Sequence, residues 1–303
     1  MLTEKTLTIF TPTYNRAYIL PKLYESLKVQ TSFDFEWLLV DDGSSDETEK
    51  IVSEWIDKNE ISIRYIKQKN AGKMSAHNRG VQETQTPLFV CVDSDDWIVS
   101  ETVERIVEEW KKLSCDDRDD ICGFIAYRGK NEKDPLGTEF PNDIEDTSTL
   151  SELYDNGFSG DTTIIFKKDI ISQYPFPIIG KEKFITEAFI YDQIDQKYKY
   201  KLIPKVMIVC EYREDGLTRN LEKISFDNPG GYTAYFMQKA NFSKNGKNKF
   251  LMYVRANCFR KKTKNLNIPV SPNNKFLFYI SIPFGRILYI NKARKMNKFN
   301  SSK

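Results

Sequence analysis

Between Leu88 and Asp96 the chain reads Leu-Phe-Val-Cys-Val-Asp-Ser-Asp-Asp: five apolar, β-prone residues that stop in three carboxylates within four positions. A run without polar alternation is what a strand covered on both faces of a parallel sheet requires. If the backbone stays extended, Asp93 and Asp95 share one side and Ser94 points away. Two like charges that close repel, and a hard divalent cation between them relieves the repulsion. Open α/β sheets also bind ligands at the carboxyl ends of their strands. The expectation is a divalent cation that carries a diphosphate. A polar loop with Asp95 or Asp96 capping the next helix would use the same residues, so the surrounding chain has to decide.

That surrounding pattern alternates. Strands are expected over Thr6–Thr11, Phe35–Val40 and Ile61–Ile66, before the run at Leu88–Val92. Helices are expected over Ile19–Val29, Glu47–Asp57, Ser75–Gln82 and Glu101–Leu113, the first from Leu20, Leu23 and Leu27 at helical spacing. Strands and helices in this rhythm mean βαβ units and a mostly parallel sheet, hence an α/β fold. Strand order does not follow from the pattern. If strands one, two and four are neighbours, Thr11/Tyr14, Asp41/Asp42 and Asp93/Asp95 converge on one crevice. Further on, strands are expected over Ile121–Tyr127, Thr162–Lys167 and Lys205–Tyr212, and helices over Thr149–Asp155 and Phe184–Gln196. Beyond about Ser225 the pattern turns helical and basic.

Composition narrows the chemistry. The 303 residues carry a single histidine, His77, so acid–base work falls to Asp or Glu; His77 itself reads as a packing or hydrogen-bonding residue. Five scattered cysteines fit reduced thiols in a cytosolic protein, not a disulfide framework or a zinc site. No stretch reaches the ~18 apolar residues a membrane span needs. No secretory leader is expected, because no long apolar region occurs between Met1 and Pro12. The net charge of +2 hides an asymmetry: residues 228–303 hold 16 Lys or Arg and no acid, against 29 basic and 43 acidic residues before them. That split points to a basic surface facing anions.

Four segments in order resemble the family 2 glycosyltransferases, inverting enzymes with a GT-A fold. They are Thr11-Pro12-Thr13-Tyr14-Asn15-Arg16; Val40-Asp41-Asp42-Gly43-Ser44-Ser45-Asp46; Asn70-Ala71-Gly72-Lys73 running on to Gly80; and Val92-Asp93-Ser94-Asp95-Asp96. The likeness is firm over roughly 6–110 and looser to about 220. It implies a catalytic domain over 1–224, with a nucleotide-binding half to about 110 and an acceptor half from 111, followed by a basic helical region over 225–303. It implies a nucleotide sugar, usually a UDP-sugar. Pro12 and Tyr14 would line the base pocket, and Asp41 and Asp42 would read the uracil edge and ribose. Lys73 would reach the uracil or the diphosphate, and Asp93 and Ser94 would lie against the nucleotide sugar. Asp95 is the first choice as ligand to Mn2+ or Mg2+, Asp93 binds directly or through water, and Asp96 competes.

The family places its catalytic base at the start of a helix well after the acidic motif. Glu187 is the choice here, with Glu182 as runner-up; this chain has Thr186-Glu187-Ala188 where the family usually has an acidic pair. Tyr212-Arg213-Glu214-Asp215-Gly216 resembles a closing segment of bacterial polysaccharide and teichoic-acid transferases, so Arg213 could neutralise phosphate. The implied activity is transfer of a sugar to a glycan or lipid-linked acceptor in surface-polysaccharide synthesis, on the cytoplasmic side of the membrane. A nucleotidyltransferase would need a glycine-rich N-terminal loop that Pro12-Thr13-Tyr14 lacks. A non-catalytic sugar-nucleotide-binding or scaffold protein is the other alternative. The apolar stretch Phe276–Ile290, broken by Pro283, Gly285 and Arg286, fits two readings equally: a segment lying on an anionic leaflet, or a helical hairpin packing on the catalytic domain or a second subunit. No nucleic-acid motif accompanies the charge.

Overall fold

The computed structural model describes residues 5–113, 120–211 and 221–301, with backbone alone at 221 and 296–301. The first half forms β1 (Leu7–Thr13), α1 (Leu20–Lys28), β2 (Phe35–Asp41), α2 (Thr48–Lys58), β3 (Ile63–Lys67), α3 (Lys73–Glu83) and β4 (Leu88–Cys91). The second half adds β5 (Trp97–Ile98), α4 (Thr102–Lys112), β6 (Ile121–Gly129), β7 (Thr147–Ser148), α5 (Leu150–Asp155), β8 (Thr162–Lys167), α6 (Lys168–Ile171), α7 (Ala188–Ile194) and β9 (Lys199–Val209).

The sheet runs β3-β2-β1-β4-β8-β6-β9-β5, with β7 also paired to β9. Strands β3, β2, β1 and β4 are parallel, so their carboxyl ends lie on one edge. Register brings Thr13 beside Asp41 and Phe10 beside Cys91. Strand β8 runs antiparallel to β4 and β6, and β6 runs parallel to β9. The expected α/β sheet is present, and the neighbourhood of strands one, two and four, left open by the sequence, is met.

Burial explains why the first elements form. Leu20, Leu23 and Leu27 of α1 are fully buried. Tyr24 stacks on Trp55 of α2 at 4.3 Å, and the Trp37 indole N–H donates to Thr11 Oγ1 at 3.0 Å. Truncating any of the three leucines to alanine would cost about 2–5 kcal/mol. Gly80, in α3, lies so close to Phe10 that an added Cβ would meet the ring at 2.4 Å. That approach seats the helix that carries Lys73 onto β1.

Three expectations shift. Strand β4 ends at Cys91, and the Asp96 N–H donates to Asp93 O at 3.1 Å, so the acidic residues sit on a turn, not on extended backbone. The last strand begins at Lys199, before Pro204. Ala126 pairs with Ile203 but Tyr127 with Val206, so Pro204 and Lys205 are absorbed as a bulge where the missing N–H is harmless. The helix expected from Phe184 starts only at Ala188, because the segment before it packs against the start of another helix, at Gly230 and Gly231.

The chain divides into two compact units: Met1–Pro175 with Gln193–Tyr212, and Phe176–Asp192 with Arg213–Lys303. The second unit therefore holds residues 176–192 besides the helical C-terminal region. Its helices are α8 (Leu221–Asp227), α9 (Pro229–Phe242), α10 (Gly246–Ala256) and α11 (Lys275–Ser301), with a 3-10 turn at Asn257–Phe259. Met237, Ala240, Tyr253, Ala256 and Phe278 form its small core. Helix α11 continues through Pro283 where the sequence pattern suggested a break.

Candidate active site

The turn after β2 is built on two buried carboxylates. Asp41 is fully buried; Oδ1 accepts from Ser44 N–H at 2.7 Å and Oδ2 from the Tyr65 hydroxyl at 2.5 Å. Burial, then the bond to Asp41, pushes the Tyr65 phenol far above its ordinary range, so it stays a donor. Asp42, also buried, accepts from Gln68 Nε2 and Ala71 N–H at Oδ1 and from Gly72 N–H at Oδ2, the last at 2.7 Å. The two acids expected to read a base and ribose thus tie the turn to the Asn70–Lys73 loop. A carboxylate has about four acceptor sites; Asp42 uses three of them. Gly43 allows the close approach, since it has φ +84° and its Cβ would lie 3.0 Å from Asn70 N.

The turn after β1 is stitched to the same place. Asn15 N–H donates to Ser44 Oγ, Ser45 N–H donates to Asn15 Oδ1, and Ala17 N–H donates to Asp46 Oδ2. Asp46 also accepts from Thr48 N–H and Oγ1 at the start of α2. Burial opposes its charge, but these bonds outweigh it and hold the carboxyl below its usual range. Pro12 is half-buried and Tyr14 is 50% exposed, an aromatic face at the strand end.

The acidic turn sorts its three carboxylates. Lys73, the first residue of α3, places Nζ 2.7 Å from Asp93 Oδ1. Asp93 and Asp95 are half-buried, whereas Ser94 and Asp96 are buried. Asp96 faces the other way: its Oδ2 accepts from Arg128 NH1 at 3.2 Å and from the Cys210 thiol at 3.3 Å. Asp96 thus forms a buried ion pair with Arg128. Burial pushes Asp96 up to about 7 despite Arg128. Burial, then the charge of Asp93, raises Asp95. Burial would raise Asp93 too, but Lys73 and then Arg128 hold it low.

The donor set fits a hard cation. Among the described residues no three His, Cys, Asp or Glu side chains gather as a cage. The protein would offer Asp93 and Asp95, leaving other positions to phosphate oxygens and water, as Mg2+ and Mn2+ sites on diphosphates require. His77 is buried edge-on against Phe10 and Phe89, with ring centroids 5.7 and 5.4 Å away, in keeping with a packing role.

The second unit holds both candidate bases. Glu182 accepts from Gly230 N–H at 2.7 Å and Gly231 N–H at 2.8 Å, one oxygen each, clamping the start of α9. Those glycines are required, since a Cβ on Gly231 would lie 2.4 Å from Phe184 O. A carboxylate at a helix N-terminus is stabilising, and this one holds residues 182–186 out of helix. Glu187 is half-buried at the position before α7, where its carbonyl accepts from Ile190 N–H at 3.1 Å. Glu182→Ala is expected to lower stability by about 1–3 kcal/mol in urea unfolding. An unchanged midpoint would mean the clamp is dispensable. Arg213 lies outside the described residues.

Sequence reasoning missed Tyr65, Gln68, Arg128 and Cys210. Each reaches its aspartate from a different strand or from the loop after it, and no local spacing records such pairs.

The profile of the family described as "Glycosyl transferase family 2" matches residues 8–174, more than half the chain. Among curated proteins, the chain is 33% identical over 156 residues to "Glycosyltransferase GlyA" of Streptococcus pneumoniae, covering 52% of this chain and 21% of that protein. It is 33% identical to a "Teichoic acid poly(glycerol phosphate) polymerase" of Staphylococcus epidermidis over 34% of this chain and 15% of that one. It is 23% identical to a "GalNAc(5)-diNAcBac-PP-undecaprenol beta-1,3-glucosyltransferase" of Campylobacter jejuni, over 73% of this chain and 69% of that one. The chain spans less than half the length of the first two of these relatives. Among solved structures, S. aureus TarS in complex with UDP-GlcNAc superposes with a TM-score of 0.60 at 15% identity. The match covers 98% of this chain and 92% of that one. At that identity the likeness establishes a shared fold.

Proposed function

The chain belongs to glycosyl transferase family 2, and from that premise we propose that it transfers a sugar, with inversion, from a UDP-sugar to a hydroxyl of a glycan or lipid-linked acceptor of the bacterial cell surface. The observation that carries this reading is the parallel order β2-β1-β4. It brings Tyr14, Asp42, Asp93 and Asp95 to one sheet edge, with Lys73 already bonded to Asp93.

Nucleotide binding falls to roughly the first 110 residues. Tyr14 and Pro12 offer a flat, partly apolar wall to a base. Asp42 keeps one acceptor site for a ring N–H or ribose hydroxyl, while Asp41, with no surface of its own, holds the turn in shape. Lys73 provides a positive charge for the diphosphate, where a charge-assisted bond is stronger than a neutral one. Mn2+ or Mg2+ bound at Asp93 and Asp95 would supply Lewis-acid stabilisation of the leaving diphosphate. Glu187 would take the proton from the acceptor hydroxyl as the new bond forms. Support for Glu187 over Glu182 is that the latter's carboxylate is occupied by α9. The UDP and surface-glycan assignments are supported by names: the TarS complex carries UDP-GlcNAc, and relatives are named for teichoic-acid and undecaprenol-linked substrates.

The test is nucleotide release from UDP-, GDP- and dTDP-sugars in Mn2+, alongside thermal stabilisation by each free nucleotide. Release of UDP from a UDP-sugar, with stabilisation by UDP, is the expected result. Stabilisation without release would indicate a sugar-nucleotide-binding protein, and neither with UDP would overturn the reading.

A further inference from the structure

Helix α11 is apolar on two faces, and within the second unit, among the described residues, only one of them is packed closely. The covered face carries Phe278, Ser281 and Gly285. Asn257 Nδ2 donates to Phe278 O at 3.2 Å and Ser281 Oγ at 2.9 Å, and a Cβ on Gly285 would lie 2.7 Å from that of Asn257. The helix is therefore docked closely on the turn that continues α10. The opposite face presents Phe276 (73% exposed), Tyr279, Ile280, Phe284 (52%, its ring edge-on to Phe250 with centroids 5.5 Å apart), Ile287 (56%) and Ile290. These recur three or four residues apart over four turns, a continuous stripe about 21 Å long. An exposed apolar stripe of this size marks an interaction surface.

Charge selects the occupant. Lys275, Arg286, Arg294 and Lys295, all exposed, flank the stripe, and no acid occurs after Asp227. A second copy seated on this face would bring like-charged flanks together with no carboxylate of residues 228–303 to pair them. An anionic bilayer surface supplies what both features need: an apolar layer for the stripe and negative headgroups for the flanks. Among the described residues no helix is long and apolar enough to cross a membrane, so the helix would lie in the interface.

We infer that α11 docks the protein on anionic phospholipid bilayers, stripe down, through Phe276, Phe284, Ile287 and the basic residues beside them. This rests on the second unit alone and stands whether or not the transfer reaction is right. The test is flotation of the full chain with phosphatidylglycerol/phosphatidylcholine vesicles, against pure phosphatidylcholine and against high salt. Binding to the anionic vesicles is expected, with loss in both controls. The combined variant Phe276→Ser, Phe284→Ser, Ile287→Ser is expected to lower the vesicle-bound fraction about tenfold or more. A second variant, Arg286→Glu with Arg294→Glu, leaves the stripe intact and should lose the preference for anionic lipid. No flotation with anionic vesicles would overturn the inference, as would flotation of both variants equal to the parent's. So would a dimer in solution that the serine variant converts to monomer without any lipid binding.

Discussion

Asp95→Ala is expected to lower turnover about 10³-fold, equivalent to about 4 kcal/mol of lost transition-state stabilisation. The reasoning begins with how the acidic turn distributes its carboxylates. Asp96 is buried on Arg128 and Cys210, and Asp93 shares its charge with Lys73. Asp95 is the half-buried carboxylate of the turn for which no cationic side chain lies within ion-pair distance among the described residues, and its neighbour Asp93 repels its charge. Removing it relieves that repulsion, so the fold should not suffer, and the urea midpoint should match or exceed the parent's. A retained midpoint with lost turnover separates a ligand role from a structural one. Arg128→Met would act in the opposite way: it strands Asp96 and costs stability first.

Glu187→Gln is the second large effect. Removing a general base typically costs 10²- to 10⁴-fold in rate, and the amide keeps size and packing. Turnover should fall within that range, while UDP affinity stays within about twofold, because the proposed role of Glu187 is at the acceptor hydroxyl and not at the nucleotide. Glu182→Gln supplies the contrast: it weakens the clamp on α9 and should act on unfolding, leaving turnover within about twofold of the parent. If Glu182→Gln lost turnover to the extent expected of a general base and Glu187→Gln did not, the two roles would be reversed.

Much of the first unit was legible because its signals are local. Leu20, Leu23 and Leu27 announce α1 by spacing, and the apolar run ending at Cys91 announces β4. The aromatic end of β1 and the acidic end of β2 stand out in sequence, whereas residues 93–96 were expected on extended backbone and form a turn. The illegible parts depend on partners far along the chain. Asp96 competed with Asp95 as a ligand in sequence, where nothing shows the buried partners Arg128 and Cys210 that β6 and the residue after β9 supply. Asp41 and Asp42 also carry a structural role that local spacing does not show, since Tyr65 and the Gly72 N–H reach them from the next strand and loop. Glu182 looked like a second base because nothing nearby in sequence reveals that Gly230 and Gly231 would meet it. The last strand was expected only from Lys205, after Pro204, because a bulge is a property of the pair, not of the strand. The helical character of the region after about residue 225 was legible, but the continuity of α11 through Pro283 was not, since a proline inside a helical pattern usually ends or kinks the helix.

The most direct test of the central claim is a calorimetric titration of UDP into the full chain, with Mn2+ and then with EDTA in its place. The account predicts saturable binding in Mn2+ that weakens by about tenfold or more in EDTA, with the same loss in Asp95→Ala when the metal is present. UDP affinity that is equal in both buffers and indifferent to Asp95 would contradict it.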